Sequence, residues 1–164
     1  MGGSNIRKRK MEIQIRDHQK KLQLNPAQIK KIVRIILQHE EINDAELSFV
    51  FVTHQKISAF NKKYLKRNYA TDVLAFESLG WQGEERNNKN LAGDIMISTD
   101  AVLKNHKLYG MSLAQELSLY VIHGILHLIG FDDHSKKDIT KMRKKEDELM
   151  RVLGKMINPV IRHS

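Results

Sequence analysis

Residues 11–16 (Met11, Glu12, Ile13, Gln14, Ile15, Arg16) alternate apolar with polar, the period of two that marks a half-buried strand. The period changes after Asn25-Pro26, which reads as a helix N-cap followed by proline at the first helical position. Beyond it Ile29, Ile32, Val33, Ile36 and Leu37 stand three or four apart and predict a helix reaching about His39. Residues 47–52 are rich in β-branched and aromatic side chains and read as a strand. Ile57, Phe60, Asn61 and Tyr64 return to helical spacing, and Lys62, Lys63, Lys66 and Arg67 make that helix and its exit basic. A short strand is expected at residues 72–76 and a surface loop, with no period, at 78–91. Residues 93–98 alternate again and predict another strand.

Three helices follow. Asp100 is the expected cap of one that runs to about Tyr109, and Ser112 with Gln115 has the spacing of a capping box for the next. Leu113, Leu117, Tyr120, Val121 and Leu128 give that second helix a core face. The last helix, about 136–153, turns Ile139, Met142, Leu149, Val152 and Leu153 inward and stops at Gly154. The order β-α-β-α-β-β-α-α-α has no repeat and no proline-rich linker. It predicts a single α+β domain over residues 11–157, one mixed sheet of about four strands against about five helices, with residues 1–10 as a mobile basic lead.

Composition narrows the partners. The 164 residues hold 28 Lys+Arg against 19 Asp+Glu, a formal charge of +9, which favours a polyanion such as RNA. No apolar run approaches the roughly 20 residues that cross a bilayer, so no membrane partner is expected. No helix-turn-helix or finger spacing is evident, so DNA is not expected either. With no cysteine there is neither a disulfide nor a thiolate ligand, and the expected address is cytoplasmic.

Three of the eight histidines stand close together in residues 123–134. His123 and His127, four apart on a predicted helix, project from one face a turn apart, which is the spacing at which two imidazoles bind one metal. Gly130 ends the helix and lets the chain reverse, returning a third ligand at Asp133 or His134. Three protein ligands with one open position make a catalytic rather than a structural zinc site. Imidazole chemistry favours His134, and Asp133 is the alternative. A zinc peptidase of the H-E-x-x-H type carries its general base directly after the first histidine, and here that residue is Gly124.

Residues 123–132 resemble the H-G-x-L-H-L-x-G-Y-D-H motif of the YbeY family of metal-dependent endoribonucleases, with Phe131 in place of tyrosine. Asn61, Tyr64 and Thr71-Asp72-Val73-Leu74-Ala75-Phe76 resemble the family's N-x-x-Y-R and P-T-D-V-L-S-F segments, and residues 93–97 its G-D-I-x-I strand. The resemblance spans about residues 45–154. It implies a zincin-like fold, one Zn2+ held by three ligands, and hydrolysis of single-stranded RNA. The implied work is maturation of the 3′ end of small-subunit rRNA and ribosome quality control, with rRNA and the small ribosomal subunit as partners.

The family's third histidine falls on Asp133 in a gapless register. Its arginine after the motif tyrosine is Leu65, and its proline and serine are Ala70 and Ala75. Lys66 and Arg67 are therefore the candidate catalytic cations that offset charge in the transition state. Asp72 and Asp94 read as strand-end caps, and Tyr64, Tyr69 and Trp81 as packing residues. The alternative function is a non-catalytic, zinc-stabilised rRNA-binding factor. A zinc hydrolase of another class ranks lower, because Gly124 supplies no base.

Overall fold

Strand β1 (Met11–Asp17) is followed by α1 (Pro26–His39), β2 (Asp44–Val52), α2 (His54–Tyr64), β3 (Val73–Glu77) and β4 (Asn90–Ser98). Helices α3 (Thr99–Leu108), α4 (Leu113–Ile129) and α5 (Lys136–Leu153) complete the chain with two short 3-10 turns. The computed structural model describes residues 10–64, 72–77 and 90–162. Within that range the α+β order matches the one that periodicity predicts.

The sheet order is β1-β2-β4-β3. β1 pairs parallel with β2, with Ile13 opposite Leu47, and β2 pairs parallel with β4, with Phe49 opposite Ile95. β3 runs antiparallel on the edge, Ala75 facing Ile95. The sheet is therefore mixed, with α1 as the crossover that a parallel β1–β2 pair requires.

Pleating sorts the two faces. Ala45, Leu47, Phe49 and Phe51 of β2, with Ile95 and Ile97 of β4, join the main core beneath α1, α3, α4 and α5. Val52 and Leu74 point the other way, against Ile57 of α2. Helix α4 is the apolar centre, burying Leu117, Val121, Ile122, Ile125 and Leu126. Its capping box forms as expected: Ser112 Oγ accepts from Gln115 N at 3.0 Å, and Gln115 Oε1 from Ser112 N at 2.9 Å. Gly130, with φ of +119°, stops it.

Some expectations are corrected. Ser98, at the extended end of β4, caps α3 by accepting from Ala101 N, and Asp100 lies inside the first turn. The Asp100 carboxylate instead accepts from His54 N at 2.7 Å, at the start of α2, and pairs with Lys21 at 2.9 Å. Those two partners hold its pKa below the ordinary aspartate value. β4 begins three residues earlier than its alternation suggests, so Asp94 is inside the strand rather than at its end. Val152, expected inward, is 42% exposed, because the buried stripe of α5 runs through Met142, Leu149 and Leu153 and Val152 falls on its flank.

The packed chain continues past Ile157. Val160 and Ile161 are buried, Asn25 N donates to Val160 O, and Arg162 N donates to Gln23 O. Lys145 of α5 reaches Glu40 after α1 at 2.9 Å and Glu148 at 2.8 Å.

Candidate metal centre

The apolar face of α4 fixes the helix against the sheet, and this determines where its polar residues point. A Cβ on Gly124 would meet Ile95 Cγ2 at 2.6 Å, so only glycine allows this approach. The position where a peptidase bears its base thus faces the sheet. The neighbouring stripe, with Tyr120, His123 and His127, faces an open cleft of about 800 Å³. The cleft is lined by residues 72–76 of the β3 edge, by the turn at 130–134 and by Glu146 of α5.

The two rings meet edge to face, with centroids 4.5 Å apart and planes at 78°. Their Nε2 atoms are 3.0 Å apart. His123 is held from behind, where its Nδ1 lies 2.8 Å from Glu146 Oε2. His127 Nε2 lies 3.8 Å from Asp133 Oδ2. Burial, and then the like charge of His123, lowers the His127 pKa, against the pull of Asp133, Asp132 and a backbone hydrogen bond at Phe131. His127 is therefore biased toward the neutral imidazole, the form that coordinates.

The turn after Gly130 places the two candidate third ligands differently. Asp132 Oδ1 accepts from the backbone N–H of Asp133 at 2.6 Å and of His134 at 3.1 Å. This small Asx turn sends the residue-133 carboxylate toward the histidine pair. His134 turns outward, its side chain 81% exposed and its Nε2 3.1 Å from Asp132 Oδ1. Donor atoms of His123, His127 and Asp133 all lie within 4.8 Å of one another, whereas His134 groups with Asp132 and Asp133 instead.

The donor set could hold one ion. Two zinc–ligand bonds sum to about 4.1 Å. The separations of His127 from His123, 3.0 Å, and from Asp133, 3.8 Å, fall within that reach, and all three donor atoms lie within 4.8 Å of one another.

At the far end of the cleft Asn105 Nδ2 donates to Tyr120 Oη at 2.6 Å and to Asp72 Oδ2 at 3.2 Å. Burial raises the Tyr120 phenol pKa, so it remains a neutral group. Asp72 stands just before β3, and its backbone carbonyl accepts from Ser98 N at 2.9 Å. Lys66, Arg67, Leu65, Ala70, Tyr69 and Trp81 lie outside the described residues, as does the side chain of Tyr64. Sequence reasoning missed Glu146 and Asn105. For Glu146 the signal was there, since it falls on the core stripe of α5, four residues after Met142 and three before Leu149.

A mixed sheet with an antiparallel edge strand, packed by a helix that offers two imidazoles to a cleft beside that edge, defines an α+β domain with a candidate metal site. Comparison with known proteins narrows the class. The family model described as Endoribonuclease YbeY matches residues 13–154, and the chain belongs to that family. Endoribonuclease YbeY of Syntrophus aciditrophicus is 35% identical over 146 residues, covering 87% of this chain and 90% of the relative. The Alkaliphilus oremlandii protein of the same name is 35% identical over 153 residues, covering 88% and 98%. The solution structure of TM1509 from Thermotoga maritima has a TM-score of 0.59 at 26% identity, covering 87% of this chain and 89% of that one. An endoribonuclease role, with RNA as substrate, follows from the family.

Proposed function

We propose that this protein is a zinc-dependent endoribonuclease that cuts single-stranded RNA in the cytoplasm, maturing the 3′ end of small-subunit rRNA and serving ribosome quality control. The observation that carries the reading is the pair of Nε2 atoms 3.0 Å apart at the floor of an open cleft.

His123, His127 and Asp133 would hold the ion, the 3.8 Å approach of Asp133 favouring it over His134. Bound Zn2+ supplies Lewis acidity toward a phosphoryl oxygen and toward water. The chain's own groups do the rest. His127, biased neutral, keeps a lone pair available at neutral pH. The cleft of about 800 Å³ is large enough to admit a nucleotide. The Asp72–Asn105–Tyr120 chain offers hydrogen-bonding groups at its far end.

Lys136, Lys137, Lys141, Arg143 and Lys144 are exposed along α5, whose Glu146 lines the cleft. They would bind the RNA backbone without regard to sequence, with affinity falling as salt rises. Lys66 and Arg67 are the proposed cations for the charge that builds on phosphorus. Cleavage of a single-stranded rRNA 3′-end fragment by Zn2+-loaded protein, lost in His127→Ala, tests the reading. Binding of the fragment with no cleavage at any metal supplement would replace it with the non-catalytic rRNA-binding factor.

A further inference from the structure

Helix α5 packs through Met142, Leu149 and Leu153, all buried. Glu146 occupies the same stripe, its side chain only 12% exposed. A carboxylate in an apolar seam requires a partner. Two residues on, Glu148 is paired with Lys145, but among the described residues no lysine or arginine pairs with Glu146. Its partner is His123, at 2.8 Å. A carboxylate oxygen accepts, so the 2.8 Å contact favours the hydrogen on His123 Nδ1, which turns Nε2 toward His127.

We propose that Glu146 is the positioning residue of the metal centre: it fixes the tautomer and ring angle of His123 and so sets the affinity of the site. This rests on the metal-binding reading of His123 and His127. The two rings are held by different means. His127 has a backbone hydrogen bond at Phe131, which no substitution of a side chain removes, while His123 depends on one side chain from another helix. Loss of Glu146 therefore frees one ring only.

Two readouts test it. In metal-free protein with 15N-labelled histidine, at mildly alkaline pH, His123 is expected as the Nδ1–H tautomer in the wild type and in Glu146→Gln, whose amide oxygen still accepts. Glu146→Leu shifts it toward Nε2–H. By chelator competition, Zn2+ affinity falls about 10–100-fold in Glu146→Leu and less in Glu146→Gln. Glu148→Leu, on the same helix, leaves both readouts at wild-type values, and circular dichroism confirms that each variant folds. If Glu146→Leu does not fold, the drop in Glu146→Gln alone carries the affinity arm. Tight Zn2+ binding in the wild type with tautomer and affinity unchanged in the Glu146 variants overturns the role of Glu146 alone. Wild-type protein that takes up no Zn2+ removes the metal centre and this role together.

Discussion

His123 and His127 present their Nε2 atoms to each other at 3.0 Å, on the one stripe of α4 that faces open solvent rather than core. Ring nitrogens at that distance are close enough to share one cation. Replacing either by alanine is expected to lower Zn2+ affinity more than 100-fold, beyond the roughly 10–100-fold seen when an outer partner is lost. RNA cleavage should fall to background in the same variants. Metal content and cleavage measured on the same preparations check whether the two fall together.

Asp133 and His134 differ by one position but meet different partners, His127 and Asp132. Asp133→Ala should lose most bound metal, because it removes the donor 3.8 Å from His127. His134→Ala should keep metal near wild type, since its ring is 81% exposed and faces Asp132. Equilibrium dialysis of the two variants separates them, and metal loss confined to His134→Ala would reverse the assignment.

Gly124 should not tolerate even a methyl group. Alanine normally favours a helix interior by up to about 1 kcal/mol over glycine. Here its Cβ would press on Ile95 at 2.6 Å, and overpacking costs about 1–3 kcal/mol. Gly124→Ala is thus expected to melt lower, at roughly 2–4 °C per kcal/mol lost, and Gly124→Ala/Ile95→Ala, which removes the Cγ2 methyl, should cost less than the two single substitutions, Gly124→Ala and Ile95→Ala, added together. Thermal melts of the single and double variants decide it. Gly124→Glu should gain no peptidase activity, because the side chain would start toward the sheet.

Glu116 gives a pH signature independent of the metal. It is 2% exposed, its Oε2 has no partner among the described residues, and burial, with Asp72 adding to it, raises its pKa. A raised carboxyl pKa means the folded state holds its proton to higher pH than the unfolded state does. Stability from this group is then present below the ordinary glutamate pKa and is lost as pH rises through the raised value. The melting temperature of Glu116→Gln minus that of the wild type should therefore increase from mildly acidic to mildly alkaline pH. A flat or falling difference would refute the shift.

What could be read in advance follows physical range. The capping box and periodicity of α4 are local, as is the i,i+4 histidine pair, so the helix and its two ring positions were legible from spacing alone. Where Asp133 and His134 stand was not. The Asp132 carboxylate binds two successive N–H groups of the turn, and pattern does not register that. Capping of α3 by Ser98 depended on how far β4 extends, which the pairing with β2 decides. Glu146 lies 23 residues from His123, and only the packing of α5 on α4 joins them. The misplaced carboxylate on an apolar stripe was the available clue.

Lys145 has a consequence for counting ions. His39, Glu40 and Glu148 gather donor atoms closely enough to chelate, yet the ammonium of Lys145 already bridges both carboxylates. A resident counter-ion, covalently tethered, would have to be evicted before any divalent guest could settle there. This cluster should therefore take up no divalent metal, and an additional equivalent should emerge there only when Lys145 is shortened to a neutral residue.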